Sequence, residues 1–176
     1  MVELAPPTSR LHAAWLTAHL EWGPGLHEDG FGLLASDEVV SPKGFANWVT
    51  RLHAESACLG DGTEHRSAES CIYRWIVDGD RVFGGIALRL GDSEFINRAG
   101  HIGYGICPSA RRRGLATWAL RKILGHAQLL GMERALLVCD ADNRASSRMI
   151  ERAGGVLDRV DQTEEGSTRR YSIATA

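Results

Sequence analysis

The sequence predicts a single α/β domain over residues 1–176, a three-layer α/β/α arrangement with helices on both faces of a sheet. Three observations lead there. Segments with the apolar period of a helix alternate along the chain with short β-type runs, the pattern of layered α/β folds. The chain has 176 residues, 44% hydrophobic and 24% charged, enough for one substantial core. Residues 135–139 are continuously apolar, as in a strand buried on both faces.

The elements follow in order. Thr8 or Ser9 can cap a first helix with Leu11, Ala14, Trp15 and Ala18 at helical spacing, running to Trp22 and ended by Gly23-Pro24-Gly25. Residues 26–40 are glycine-rich and acidic and read as a loop. Ser41-Pro42 opens a second helix, with Phe45, Trp48, Val49 and Leu52 on one stripe. Gly60-Asp61-Gly62-Thr63 is an exposed loop. Strands at 72–77 and 82–90 flank the hairpin turn Asp78-Gly79-Asp80, and a third runs over 100–107 to Pro108. A helix begins at Gly114, carries Leu115, Ala119, Ile123 and Ala127, and stops at Gly131. The apolar strand 135–139 follows, then a helix over 143–153 ended by Gly154-Gly155. Strands at 155–160 and 169–174 close the chain as a hairpin around Glu164-Glu165-Gly166.

Composition excludes several functions. Twenty Lys+Arg against 22 Asp+Glu leave a formal charge of −2, which provides no general attraction to nucleic acid or an anionic membrane. No apolar run approaches the ~20 residues needed to span a bilayer. The first residues have neither a basic nor an apolar leader region, so a cytoplasmic protein is expected. Cys58, Cys71, Cys107 and Cys139 lack C-x-x-C spacing and read as reduced thiols rather than disulfides or a metal site; no metal is expected.

The chemistry concentrates in Ile106-Cys107-Pro108-Ser109-Ala110-Arg111-Arg112-Arg113-Gly114-Leu115-Ala116. A strand stops at proline, three arginines follow, and a helix opens on Gly-x-Ala. Backbone N–H groups at a helix start lack partners and lie at the positive end of the dipole. Small residues there let a ligand approach the main chain, so the segment suits a pyrophosphate. A surface turn with solvated arginines is the plainer reading. No Walker A run exists, and Gly103-Tyr104-Gly105 lacks the third glycine of a dinucleotide fingerprint and lies within a strand.

Arg111-Arg112-Arg113-Gly114-Leu115-Ala116 resembles the R/Q-x-x-G-x-G/A motif of the GCN5-related N-acetyltransferases (GNAT). Asn143-Arg144-Ala145-Ser146 followed by Gly154 resembles that family's N-x-x-[SA] segment, and the resemblance, with its strands and helices in order, extends over about residues 72–160, half the chain. The stretch from Gly100 to Ile106 with Pro108 is further similar to a branch of predicted bacterial acetyltransferases. The resemblance implies a sheet splayed between the strand ending at Cys107 and its parallel neighbour at 135–139, with acetyl-CoA as acyl donor. Its pyrophosphate is expected on the N–H groups of Arg111, Arg112, Arg113, Gly114, Leu115 and Ala116. Its pantetheine is expected on the main chain of Ile106 and Cys107. Asn143 is expected to bond the pantetheine or orient its loop, and Arg148, if not merely solvated, to help with the adenosine phosphates.

Acyl transfer needs a neutral amine, a donor to the carbonyl, and ideally an acid for the thiolate. The resemblance implies a tyrosine acid where this chain has Ile150. For the base it points to the start of the strand before the loop, where His101 stands, with Glu94 and Tyr104 as alternatives; a strand histidine bonded to a neighbouring chain is the competing reading. Trp15, Trp22, Trp48, Tyr73 and Trp75 form either an acceptor pocket or core, and Glu28, Asp29, Asp37 and Glu38 either attract an ammonium or are simply solvated. The expected activity is acetyl transfer to a small primary amine in a ternary complex. The alternatives are a protein N-terminus or lysine as acceptor, or a non-catalytic acyl-CoA-binding module. Homodimers are common in the family.

Overall fold

The computed structural model describes residues 1–23, 30–57, 70–163 and 166–175. Glu28, Asp29, Cys58, the 60–63 loop and the Glu164-Glu165 turn lie outside them. In chain order the elements are β1 (Glu3–Ala5), α1 (His12–Leu20), α2 (Pro42–Ala57), β2 (Cys71–Asp78), β3 (Arg81–Arg89) and α3 (Glu94–Ala99). There follow β4 (Ile102–Ile106), α4 (Leu115–Leu129), β5 (Arg134–Asp140), α5 (Arg144–Arg152), β6 (Val156–Thr163) and β7 (Gly166–Ala174). Short 3-10 turns at Ser9–Leu11 and Pro108–Ala110 precede α1 and α4.

Local chemistry accounts for the elements that were expected. Thr8 accepts a hydrogen bond from Arg10 N–H ahead of α1, and Ser41 Oγ accepts from Gly44 N–H at the start of α2. Gly79 and Asp80 form the two-residue turn between β2 and β3. Two elements carry too short a pattern to be legible in advance. β1 has three residues and pairs antiparallel with β2. α3 has six, and Ser93 Oγ caps it by accepting from Ile96 N–H.

Four strands form one sheet in the order β1-β2-β3-β4, and three form another in the order β5-β7-β6. On one face of the first sheet, Tyr73 and Trp75 of β2 stand in register with Ala87 and Gly85 of β3, and Gly103 and Gly105 of β4 continue the row. Their small size leaves room for the chain at 30–32 to lie on the sheet, with Phe31 on Gly85. The rings of Trp15, Phe31, Phe45, Trp48 and Trp75 pack there as one aromatic cluster, covered by α1 and α2. Ile86, Leu88 and Ile102 point to the other face, and α4 packs over β3 and β4.

The sheet is splayed between β4 and β5, as the resemblance implies. Every ladder among the described residues is antiparallel, and none of them joins β4 to β5. Among the described residues, the two halves pair directly through one antiparallel bridge, between Gly100 and Leu137. The reading of 135–139 as buried on both faces is corrected. Ala135 and Leu137 on one face are buried, whereas Leu136 and Val138 on the other, and Cys139, are half-buried.

Gly100 sets the junction. Its φ of 87° and ψ of 166° belong to a region open almost only to glycine, and a Cβ there would stand 2.9 Å from Leu136 O. Gly100→Ala is therefore expected to lose about 1–3 kcal/mol from backbone strain alone, with the clash added. Urea denaturation measures it, and an unchanged midpoint would contradict this account of the junction.

Candidate active site

The splay exposes one side of β4. Arg89 N–H donates to His101 O at 2.7 Å and Cys107 N–H to Phe83 O at 2.8 Å. Odd-numbered residues of β4 thus bond β3, and the alternation of antiparallel ladders turns the N–H and C=O groups of Ile102, Tyr104 and Ile106 toward the split. The main chain of Ile106 faces the split. That of Cys107 does not: its N–H is committed to Phe83, Ala110 N–H donates to its carbonyl, and its buried thiol lies 3.7 Å from Val82 O. It closes the strand instead of facing the split, because the 3-10 turn at Pro108 begins there.

The arginine loop connects this edge to α4. Arg111 Nε donates back to Ile106 O at 3.1 Å, which ties the loop to the strand. Arg112 has a φ of 62°, the only non-glycine positive φ among the described residues. Arg113 lays its guanidinium 4.9 Å from the centre of the Phe83 ring. All three arginines are exposed. Gly114 then enters the left-handed region (φ 77°, ψ 0°) and caps α4 with no side-chain hydrogen bond. The first helical bond runs from Trp118 N–H to Gly114 O, so the N–H groups of Leu115, Ala116 and Thr117 precede the helix ladder. The first turn holds no acidic residue, the Leu115 side chain is anchored in the core, and nothing stands within 4 Å of where a Gly114 Cβ would be. The donors are open to an anion.

Across the split, Asn143 caps α5: its Oδ1 accepts from Ser146 N–H at 3.1 Å, and its own N–H donates to Asp140 O. Of the two roles expected for it, orientation of the loop is visible. Arg144 and Arg148 are exposed one turn apart on α5, whereas Ile150 is fully buried in the core. Sequence reasoning missed Ser147, whose Oγ lies 3.6 Å from Cys139 Sγ; burial pushes that thiol's pKa up. It also missed Glu21, which accepts from both the N–H and the hydroxyl of Ser109 at 3.0 Å and fastens the end of α1 to the turn before the arginines. No local pattern announces a contact 88 residues apart.

His101 stands at the junction of the two sheet halves. Its N–H donates to Leu136 O at 2.7 Å, and its ring Nδ1 accepts from Leu136 N–H at 2.9 Å. Since a backbone N–H only donates, Nδ1 must be the unprotonated nitrogen. Burial lowers the imidazole pKa below its ordinary value, opposed by a Gly91 backbone hydrogen bond and by Asp92. The lone pair a base would use is thus engaged in holding β4 to β5. Glu94 is exposed in the first turn of α3, and Tyr104 shares a face with Ile86, opposite Ala87 and Gly103.

The acceptor-side expectations change most. Trp15, Trp48 and Trp75 are core residues, Tyr73 is buried and donates its hydroxyl hydrogen bond to Glu55 at 2.7 Å, and Trp22 is half-buried. Asp37 pairs with Arg51 at 2.6 Å and accepts from Leu34 N–H, and Glu38 accepts from Val40 N–H, Ser41 N–H and the Ser41 hydroxyl. The Ser41 hydrogen bonds, side chain first, lower the Glu38 pKa. These two carboxylates hold the loop and the start of α2, not a ligand's charge.

A sequence profile for the acetyltransferase (GNAT) domain matches residues 26–156, most of the chain. The chain belongs to the GNAT acetyltransferase family. No curated protein matches it closely enough to count as a relative. Among solved structures, this GNAT protein is similar to the microcin C7 self-immunity acetyltransferase MccE, in complex with acetyl-CoA and AMP. The identity is 16%, the coverage 98% of this chain and 92% of that one, and the TM-score 0.70. It is similar also to the Salmonella typhimurium acetyltransferase that modifies the N-terminal serine of ribosomal protein L7/L12 (18% identity, coverage 98% and 94%, TM-score 0.68). A third, RimL in complex with coenzyme A, has 18% identity, coverage 98% and 93%, and TM-score 0.68. At such identities the likeness concerns the fold.

Among the described residues of this GNAT domain, no group of three His, Cys, Asp or Glu side chains is arranged to hold a metal ion. No described helix is long and apolar enough to cross a membrane. Among the described residues, Cys71, Cys107 and Cys139 form no disulfide, and the first two are buried.

Proposed function

We propose that the protein is an acetyl-CoA-dependent N-acetyltransferase that passes the acetyl group directly to a primary amine within a ternary complex. The observation that carries this reading is the uncapped start of α4, with Gly114 unobstructed, beside the outward-facing edge of β4. Two solved structures of similar fold hold acetyl-CoA or coenzyme A. Acetyl-CoA supplies an activated acyl carbon on a thiol leaving group. The N–H groups of Leu115, Ala116 and Thr117 bind its pyrophosphate, with the exposed Arg111, Arg112 and Arg113 adding positive charge. The outward-facing main chain of β4 at Ile106 meets the pantetheine, and its N–H is a donor to the thioester oxygen. Arg148, with Arg144 on the same helix face, meets the adenosine phosphates. His101 acts as a positioning residue at the junction. Of the three candidate bases, Glu94 is the exposed carboxylate that takes the amine proton, and its replacement by Gln is expected to cut turnover while leaving acetyl-CoA affinity unchanged. Equal turnover would remove it from the mechanism.

The acceptor is a small primary amine in the first reading. A protein N-terminus is the second, and it is favoured by the ribosomal N-terminal acetyltransferases of similar fold and by the loss of the aromatic pocket to the core. Free-thiol release from acetyl-CoA, measured against small amines and short peptides with free N-termini, separates them. Release with neither, alongside tight binding, would favour an acyl-CoA-binding module. The location expected from the sequence is the cytoplasm.

A further inference from the structure

The 3-10 turn at Pro108–Ala110 leaves one main-chain donor over. Ala110 N–H donates to Cys107 O at 2.9 Å and Arg111 N–H to Pro108 O at 3.3 Å, while proline has no N–H. Ser109 N–H is the remainder, and the capping residue of the turn, Cys107, makes no side-chain hydrogen bond to it. Glu21 supplies the missing acceptor from another element. One carboxylate oxygen accepts from Ser109 N–H and the other from the Ser109 hydroxyl, each at 3.0 Å. Glu21 caps the C-terminal end of α1, a helix rooted in the core by Trp15 and Ala18. The loop beyond the turn needs such an anchor. The N–H groups of Arg112, Arg113 and Gly114 bond no main-chain group among the described residues, and Arg112 and Gly114 both hold positive φ. Besides the side-chain ties of Arg111 to Ile106 O and of Arg113 to Phe83, its shape is set at its two ends. One end is Leu115 in the core, and the other is the turn that Glu21 grips.

We propose that Glu21 is a positioning residue for acetyl-CoA: it holds the turn so that the loop from Arg111 to Gly114 stands in its ligand-binding shape before the pyrophosphate arrives. The inference rests on the acetyl-CoA reading of this loop. A loop ordered in advance costs less to bind, so the contribution of Glu21 is to affinity. Charge alone argues the other way, because a carboxylate near a polyphosphate repels it. Any gain that Glu21 brings therefore comes from its two hydrogen bonds, whereas the arginines act by charge. Glu21 and Ser109 are both exposed, so their pairing adds little to the stability of the fold.

Calorimetric titration of acetyl-CoA into the full chain, with thermal unfolding midpoints measured in its absence, tests it. Glu21→Ala is expected to bind acetyl-CoA about tenfold more weakly. Its midpoint is expected within about 4 °C of wild type. Glu21→Gln is expected to bind at least as tightly as wild type. Its amide oxygen accepts from Ser109 N–H and its amide N–H donates to the hydroxyl oxygen, without the negative charge. Glu21→Ala with wild-type affinity overturns the proposal and leaves the reading of the loop standing, as does Glu21→Gln as weak as Glu21→Ala. Should Glu21→Ala fold poorly, Ser109→Ala is read in its place, since it keeps the N–H bond and loses the hydroxyl one. Binding about threefold weaker is expected there, and wild-type binding would contradict the proposal. Wild type that binds no acetyl-CoA overturns the reading of the loop itself, and this inference with it.

Discussion

Gly114→Asp abolishes acetyl-CoA binding while the protein stays folded: this is the largest effect expected of any single substitution here. Gly114 occupies the left-handed region at the start of α4, and its missing side chain leaves open space in front of the first-turn N–H groups. Aspartate is among the residues that tolerate this backbone, at a strain of about 1–2 kcal/mol. Its carboxylate then accepts from the N–H groups it faces, as capping residues do, and recovers about 1 kcal/mol. Stability thus changes little. The same carboxylate occupies the anion's donors and repels the pyrophosphate, so affinity is expected to fall at least ~100-fold, about 3 kcal/mol. Gly114→Ala is the control: it carries the strain without the charge and is expected to lose only a few-fold. Wild-type affinity in the aspartate variant would separate the loop from the ligand.

The second large effect falls on His101. Removing its ring in His101→Ala leaves Leu136 N–H without an acceptor at the bridge between the sheet halves. An orphaned buried donor costs about 1–3 kcal/mol. Because β4 and β5 form the walls of the split, acetyl-CoA affinity and turnover are expected to fall together. His101→Gln, whose amide oxygen accepts from the same N–H, is expected to recover part of both. A drop in turnover alone, with affinity and stability intact, would make His101 the base and overturn its positioning role. The pH dependence follows from the lowered imidazole pKa. Below about 6.5 the unfolded chain binds this proton and the folded one resists it. The stability that His101 confers is therefore complete above that pH and declines as pH falls toward the folded-state value. Urea titrations at pH 7.5 and 5.5 are expected to show a smaller loss in His101→Gln than in wild type.

What was legible in the sequence was what short-range physics determines. The Ser41-Pro42 start and apolar stripe specify α2, the Asp-Gly-Asp turn specifies the β2–β3 hairpin, and Arg111 to Ala116 mark the strand-to-helix turn. The illegible parts depend on distant partners or on very short elements. β1 and α3 are too short for periodicity to register. The partner of His101 lies 35 residues onward, so a ring that replaces a ladder carbonyl looks like a free base in the sequence. The aromatic residues read equally as pocket or core until Gly85, Ala87, Gly103 and Gly105 are known to share the face they cover. The main chain of Cys107 turns from the split because the turn at Pro108 begins earlier than the strand pattern suggests.

The central claim is that the start of α4 and the open edge of β4 together bind acetyl-CoA. Isothermal calorimetry of the purified protein with acetyl-CoA, with NADH and ATP as controls, tests it most directly. Saturable binding of acetyl-CoA at one site per chain, with no comparable heat from the controls, is the predicted result. No heat with acetyl-CoA would reduce the Arg111-to-Ala116 segment to a surface turn and contradict the account.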